Sequence, residues 1–227
     1  MLEVRSLSKD YGSQPAIVDL SFRLDAGEAV AFVGPNGAGK STLFNILAGI
    51  IKASSGICGL DGSALGSLPL QEIGFLSEEP FFYDNFTPLQ TLRFEVTMRR
   101  FSKKEVGESC NAFVKQFAIN GYLHERMGSL SQGMVKRVQL AAAFLGHPKL
   151  IILDEPLNAL DIQSVIALKE QLAIERKLGS HILISSHVLS FLDETVDRVL
   201  FLDKGSLAAI SDNNSLKAEQ IYRQLFL

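Results

Sequence analysis

The pattern of apolar and polar residues along the 227-residue chain predicts alternating strands and helices. Residues 2–7 and 16–24 alternate between apolar and polar positions, which predicts two strands joined by a turn at residues 11–15. Residues 28–33 form a short apolar run of strand length, and residues 41–48 have helical spacing. The first fifth of the chain therefore predicts a β-hairpin followed by a strand–loop–helix unit.

The last third of the chain alternates apolar runs with helical patterns. Strands are predicted at 150–153, 181–185 and 198–202, and helices at 163–178, 188–195 and 215–227, the last of them amphipathic. A repeated strand–helix–strand order predicts a parallel sheet that helices cover.

Helical patterns interrupt this alternation in the middle of the chain. A Gly- and Ser-rich strand with tight turns at 54–66 and a short strand at 74–76 precede them. The pattern is helical from Thr87 to about Ile119, and a capping box at 102–105 predicts that a second helix starts there. Another helix follows Ser131 and reaches His147 and Pro148.

This organisation predicts one α/β domain in two parts. Residues 1–79 and 147–227 are expected to form the core, and residues from about 80 to 146 a helical subdomain inserted into it. A chain of this length, 47% hydrophobic and 21% charged, is large enough to bury a sizeable core.

Composition narrows the class of protein. The net charge of −3 argues against a general binder of nucleic acids or anionic membranes. Cys58 and Cys110 make no disulfide framework and are interpreted as small apolar fillers in a reducing compartment. No run of eighteen apolar residues and no signal peptide is present, so we expect a cytosolic protein that does not span a membrane by itself.

A complete phosphate-loop pattern, G-x-x-x-x-G-K-[ST], lies between the third strand and the first helix. It consists of Gly34, Pro35, Asn36, Gly37, Ala38, Gly39, Lys40, Ser41 and Thr42. Glycines let backbone N–H groups turn inward around phosphate oxygens, and the helix that follows points its positive end at the same anion. Lys40 supplies a charge at the β- and γ-phosphates, and the Ser41 hydroxyl suits Mg²⁺.

Three further motifs follow in order. The segment Leu130-Ser131-Gln132-Gly133-Met134 precedes a helix that Ser131 caps. The buried-strand run at 150–153 delivers Asp154 and Glu155 at its carboxyl end, where open α/β sheets bind ligands. His187 ends the next strand. Mg²⁺ takes oxygen ligands and hydrolysis needs a carboxylate near water, so the acid pair suits both tasks.

This ordered set resembles the ATPase subunit of ABC (ATP-binding cassette) transporters over almost the whole chain. The resemblance implies a P-loop NTPase core with a parallel sheet and an antiparallel β edge, plus an inserted helical subdomain. It implies ATP and Mg²⁺ as cofactors, with Mg²⁺ held at Ser41, at Glu78 and, through water, at Asp154. It also implies that Glu155 is the general base, that His187 contacts the γ-phosphate and that Tyr11 stacks on adenine.

The resemblance further implies a head-to-tail dimer, in which Ser131, Gln132 and Gly133 reach the ATP held by the partner chain. The family's common form of this motif is LSGGQ, so Gln132 and Met134 depart from it. Asn158 replaces a serine in the loop that crosses the dimer interface. Asp161 in the same loop is expected to cap the following helix, to contact the partner, or to do both.

Glu78 is the main departure, since this position usually holds glutamine in the family. Glutamate here, and the aromatic segment 80–87, resemble sequences of drug export and antibiotic immunity. The aromatics either seat a helix of a membrane partner or fold into the helical subdomain.

We therefore expect a cytoplasmic ATPase subunit, peripheral at the inner face of the cell membrane, that powers a separate transmembrane permease, and Glu78 favours an exporter. The alternatives are an importer subunit, a non-transport cassette and a regulatory cassette that does not hydrolyse ATP. The dimer partner is a second copy or a sister cassette, and no nucleic acid is expected. A GTPase is disfavoured because the N-K-x-D motif is absent. The cargo stays open.

Overall fold

The computed structural model describes residues 1–79, 82–101, 103–212 and 218–227, without the side chains of 103–109. The strands are β1 (Leu2–Tyr11), β2 (Gln14–Leu24), β3 (Ala29–Val33), β4 (Ser55–Leu60), β5 (Ser63–Ala64), β6 (Ile73–Leu76), β7 (Leu150–Asp154), β8 (His181–Ser185), β9 (Arg198–Asp203) and β10 (Ser206–Asp212). The helices are α1 (Lys40–Leu47), α2 (Pro88–Met98), α3 (Lys103–Gln116), α4 (Gln132–Phe144), α5 (Ile162–Leu178), α6 (Leu189–Thr195) and α7 (Ala218–Phe226).

A six-stranded sheet forms the centre of the molecule, in the order β10-β9-β3-β8-β7-β6. All neighbouring strands are parallel except β10, which pairs with β9 in the antiparallel sense. Every residue of β3, β7 and β8 is buried, as expected for parallel strands covered on both faces. The predicted parallel sheet is confirmed.

A second, antiparallel sheet has the order β2-β1-β4-β5. Phe22 of this sheet contacts Phe32 of β3 with ring centroids 5.1 Å apart, and Phe32 contacts Phe44 of α1 at 5.7 Å. This apolar cluster packs the antiparallel sheet and α1 on one face of the central sheet. The predicted antiparallel β edge is therefore confirmed.

Helices α2, α3 and α4 lie between β6 and β7 in the chain, and we call them the helical insertion. Thr87 and Gln90 form a capping box at the start of α2, with Pro88 as its first residue. The stacked rings of Phe117 and Phe144 lie 6.1 Å apart, in an apolar cluster that continues under the sheet. The capping box predicted at 102–105 includes Ser102, which lies outside the described residues.

Strand β10 is absent from the sequence-based prediction, which ended the sheet at residue 202. The structure pairs Asp203 with Ser206 across a two-residue turn. Both turn residues, Lys204 and Gly205, have positive φ, of 45° and 82°. Such a turn matches the twist of an antiparallel hairpin, so a glycine after a strand was the available signal. Among the described residues, no helix is long and apolar enough to cross a membrane.

Candidate functional site

The ends of four neighbouring strands of the central sheet meet at one cavity of about 350 Å³, which we call the strand-end cavity. β3 leads into the phosphate loop, β7 into the acid pair, β8 into His187 and β6 into Glu78. The residues that line it are Ala16, Asn36, Gly37, Ala38, Gly39, Lys40, Ser41, Thr42, Glu78, Asp154, Glu155 and His187. Parallel pairing thus gathers, at one edge, residues that are far apart in sequence.

The phosphate loop turns into α1 through Gly39, whose φ is 104°. A Cβ at this position would lie 2.5 Å from the carbonyl oxygen of Ala16, so only glycine allows this approach. The Lys40 side chain folds back over the loop. Its Nζ donates hydrogen bonds to the carbonyl oxygens of Gly34 at 2.7 Å and Pro35 at 3.3 Å. Gly34 and Pro35 therefore support the lysine without lining the cavity.

Lys40 is the buried cation of the strand-end cavity. Burial lowers the pKa of its ammonium, and the carboxylates of Glu155, Asp154 and Glu78 oppose that shift. The ammonium is held over the phosphate loop by carbonyl oxygens, where it can form charge-assisted hydrogen bonds to a phosphate.

Ser185 positions the acid pair. Its Oγ donates a hydrogen bond to Asp154 Oδ1 and accepts one of 2.9 Å from the Glu155 backbone N–H. Asp154 and Ser185 are register partners on β7 and β8, and Asp154 is only 3% exposed. Ser185 could not be recognised from the sequence pattern, because its role depends on which strands are neighbours.

Glu155 is buried, and its backbone adopts a left-handed φ of 48°, a strained conformation that side-chain residues seldom adopt outside functional sites. The His187 backbone N–H donates to Glu155 Oε2 at 3.4 Å, and His187 Nε2 lies 3.2 Å from Oε1 without hydrogen-bond alignment. Burial raises the pKa of the Glu155 carboxyl, and the neighbouring His187 opposes this shift. A buried carboxylate with an acceptor oxygen left over is suited to take a proton from water.

The oxygen donors predicted for Mg²⁺ share the same cavity. Ser41, Glu78 and Asp154 all line it, and a set of a hydroxyl and carboxylates matches the ligands that Mg²⁺ prefers. The Ser185 hydroxyl occupies one lone pair of Asp154 and fixes that carboxylate. The residues present therefore fit this metal.

The segment Leu130–Met134, called the signature segment below, lies elsewhere. Ser131 caps α4, and its Oγ accepts the Met134 backbone N–H at 3.3 Å. Neither Ser131, Gln132 nor Gly133 lines the strand-end cavity, although Gln132 lines another cavity. A Cβ on Gly133 would lie 2.5 Å from the Ala159 carbonyl oxygen, so glycine permits close packing of α4 on the loop after Glu155.

The loop after Glu155 contacts α4 at a second point. Asp161 caps α5 by accepting the Ser164 backbone N–H at 2.9 Å, and it forms an ion pair with Arg137 of α4. The predicted capping role of Asp161 is confirmed. Asn158 lies in the same loop, and its backbone N–H donates to the Glu155 carbonyl at 3.4 Å.

Tyr11 ends β1, and its ring is 53% exposed. It does not line the strand-end cavity, whereas Ala16 on the paired strand β2 does. Lys9 Nζ lies 5.1 Å from the centroid of the Tyr11 ring. Tyr11 is thus exposed and outside the cavity, and its role in stacking stays a prediction.

Comparison with known proteins decides the family. The family model described as ABC transporter matches residues 17–158 of the chain. The chain belongs to the ABC transporter family. The family assignment confirms the predicted fold class, the prediction of an ATP-binding subunit and that of ATPase activity.

Individual ABC proteins match over nearly the full chain. The uncharacterized ABC transporter ATP-binding protein YxlF of Bacillus subtilis is 35% identical, over 97% of this chain and 74% of its own length. The bacitracin transport ATP-binding protein BcrA of Bacillus licheniformis is 36% identical, over 91% and 68%. A solved ATP-binding subunit of an ABC transporter superposes with a TM-score of 0.88 at 30% identity, covering 99% of this chain and 92% of its own.

Proposed function

We propose that this ABC ATPase is the motor of an exporter and hydrolyses ATP between two head-to-tail chains. The observation that carries the proposal is the convergence of Lys40, Asp154, Glu155 and His187 on one cavity of about 350 Å³. A lysine, a buried carboxylate and an imidazole therefore lie together, and these are the groups that phosphoryl transfer to water requires.

In the proposed mechanism, the backbone N–H groups of the phosphate loop and Lys40 hold the β- and γ-phosphates. Glu155 accepts a proton from the attacking water through its remaining oxygen, and His187 steadies that water and the γ-phosphate. Ser41, Asp154 and Glu78 are the residues that would hold Mg²⁺, which when bound offsets the charge of the phosphates. Tyr11 stacks on the adenine.

Ser131, Gln132 and Gly133 complete the site of the partner chain in this proposal. The Ser131 hydroxyl and the start of α4 offer an anion site, and they do not line the chain's own strand-end cavity. Residues 1–79 and 147–227 act as the core and 80–146 as the helical subdomain that presents this segment.

The transmembrane permease docks, we propose, at an apolar groove between the core and the helical insertion. This cavity of about 540 Å³ includes Ile50, Leu70, Phe82 and Met98 among its lining residues. Ile50, Leu70 and Met98 are exposed, which suits the seating of a partner helix. Of the predicted aromatic segment, Phe82 lines the groove, and Pro80 and Phe81 lie outside the described residues.

The name of one relative supports export as the direction. The SkfA peptide export ATP-binding protein SkfE of Bacillus subtilis is 34% identical over 91% of this chain and 87% of its own length. We propose that this chain works at the inner face of the cell membrane, bound there through its permease.

The rate of ATP hydrolysis against protein concentration tests the proposal, with Glu155→Gln alongside. We expect the rate per chain to rise with concentration, and the variant to lose about 10²–10⁴-fold in rate, since it cannot accept a proton. ATP should trap that variant as a stable dimer on a sizing column. A rate that is independent of concentration and insensitive to the variant would contradict the proposal.

A further inference from the structure

Helix α4 carries a buried lysine that has no part in the mechanism proposed above. Lys136 of α4 is only 5% exposed, and its Nζ has no hydrogen-bond partner in the described part of the chain. An ammonium removed from water without a partner is costly, so a lysine kept in such a place implies a nearby negative charge.

Lys136 lines a cavity of about 480 Å³ between α4 and the end of β6, which we call the α4 cavity. Two acids, Glu78 and Asp84, line the same cavity. The buried Oε1 of Gln139, one turn along α4, also faces no hydrogen-bond partner among the described residues. At this cavity, both Lys136 Nζ and Gln139 Oε1 therefore lack a hydrogen-bond partner among the described residues.

Glu78 connects the two cavities, because it lines both the α4 cavity and the strand-end cavity. It is exposed and forms no ion pair with any described residue. Its carboxylate can therefore turn toward the metal and phosphates in the strand-end cavity or toward Lys136 in the α4 cavity. Asp84 lines the α4 cavity but not the strand-end cavity.

The charges around Lys136 agree with this arrangement. Burial lowers the pKa of the Lys136 ammonium, while Asp154, Glu78 and Glu155 raise it. Asp154 and Glu155 are themselves buried and held by Ser185 and His187, so their carboxylates have little freedom to reach the lysine. Glu78 is the acid among the three that is free to move.

We propose that Lys136 is a positioning residue for Glu78: the two form a charge pair across the α4 cavity that draws the carboxylate away from the phosphates. When Mg²⁺ and ATP bind, Glu78 turns to the metal side and the pair opens. The proposal rests on the proposed ATPase function, and it makes a side chain of the helical insertion sense whether the core site is loaded.

Binding of ATP in the presence of EDTA tests this proposal, with Lys136→Met as the variant. Freed from Lys136, the Glu78 carboxylate should repel metal-free ATP and weaken its binding about three- to ten-fold. In the Glu78→Gln background, Lys136→Met should have little effect, because no charge is released. Lys115→Met, which removes an exposed lysine of α3, is the matched control and should bind ATP like the unmodified chain.

The double variant separates positioning from other roles. An equal loss of affinity in both backgrounds would mean that Lys136 acts on the nucleotide without Glu78, and would overturn the proposal. No binding of ATP by the unmodified chain, with or without Mg²⁺, would instead contradict the proposed function.

A cross-link in the unmodified chain gives a test that needs no variant. A water-soluble carbodiimide joins a carboxylate to an amine in contact with it, as an amide, with loss of water to the reagent. We expect a Glu78–Lys136 cross-link by mass spectrometry, suppressed by ATP with Mg²⁺. The internal control is the Glu72–Lys149 ion pair, in which Glu72 Oε1 and Lys149 Nζ lie 3.1 Å apart. Cross-linking of the control pair alone would overturn the proposal.

Discussion

The strand-end cavity and the signature segment offer opposite solutions to anion binding. In the strand-end cavity, a buried lysine, two buried acids and a serine hold one another by hydrogen bonds and charge. At the signature segment, Ser131 is exposed at a helix start, and its oxygen accepts the Met134 backbone N–H of its own helix. One region is organised within the chain, whereas the other offers donors to a group that the chain does not supply.

This difference explains why one chain is expected to make half of a working enzyme. A helix N-terminus has partial positive charge but little affinity for an anion by itself. When it meets phosphates that another cavity already holds, the same dipole stabilises charge that develops in the transition state. The contrast therefore predicts that a substitution in either region lowers the ATPase rate, and that mixing a variant of one region with a variant of the other restores part of that rate.

A complementation experiment tests whether the two regions act in different chains, and it should change the ATPase rate more than any other experiment below. Lys40→Ala and Ser131→Ala should each lower the ATPase rate by about 10²–10³-fold, because each removes charge stabilisation from both sites of a homodimer. A mixture of the two variants should recover about a quarter of the unmodified rate, since half of the dimers are mixed and each has one intact site of two. The rate of the mixture against its two components is the measurement.

The control for complementation is a mixture of Lys40→Ala with Glu155→Gln. Both changes fall in the same strand-end cavity, so one cavity of each mixed dimer carries one change and the other cavity carries the other. No intact site arises, and the rate should stay low. If Lys40→Ala with Ser131→Ala also stays low while both variants bind each other, the signature segment serves its own chain and the comparison fails.

Gly133 tests the packing that holds the signature segment in place. Gly133→Ala puts a Cβ 2.5 Å from the Ala159 carbonyl oxygen, so α4 and the loop after Glu155 must move apart. We expect the ATPase rate to fall about ten-fold or more, since small misplacements of a positioning group are costly, and the free energy of unfolding to fall by about 1–3 kcal/mol. The rate and a denaturant titration measure both effects.

Gly121→Ala is the matched control for this change. Nothing lies within 4 Å of a Cβ at Gly121, so the same added methyl should leave both quantities nearly unchanged. Equal rates for the two variants would show that the close contact at Gly133 has no part in placing the signature segment.

Sequence patterns predicted the strand ends of this site well, because each functional residue follows a strongly apolar run. Asp154 is the last residue of β7, Glu155 directly follows it, and His187 follows β8 within two residues. The contributions of Ser185 and Lys136 could not be predicted in the same way. Ser185 contacts the acid pair because β8 is the neighbour of β7. Lys136 shares a cavity with Glu78 because α4 packs near the end of β6. Both depend on tertiary neighbours, which no local pattern specifies.

Backbone geometry could not be predicted from the sequence patterns either. The left-handed φ of Glu155 is unusual for glutamate, and propensity alone would favour another residue there. Strand β10 was missed because its exposed edge carries a weak apolar alternation and is specified mainly by the Lys204–Gly205 turn. Where a local preference is overruled, as at Glu155, the surrounding contacts with Ser185 and His187 hold the conformation.

The smallest change in stability is predicted for a hydrogen bond at the junction between the helical insertion and the core. His147 follows α4, and its Nδ1 lies 2.8 Å from Oε1 of Glu175, a fully buried acid of α5. The hydrogen bond to Glu175 raises the pKa of His147. A raised pKa in the folded state adds stability that is present below the unfolded pKa of about 6.5 and is lost as the pH rises through the folded value.

His147→Asn should therefore cost more stability at pH 5.5 than at pH 8.5. Asparagine tolerates the left-handed φ of 51° at this position, so the change removes the charge without adding backbone strain. Because the imidazole is nearly half exposed, the pH-dependent part should be about 0.5 kcal/mol. Denaturant titrations of both chains at the two pH values measure it. A loss of equal size at both would mean that the imidazole joins the helical insertion to the core through packing on Phe113, at 5.7 Å, and not through its charge.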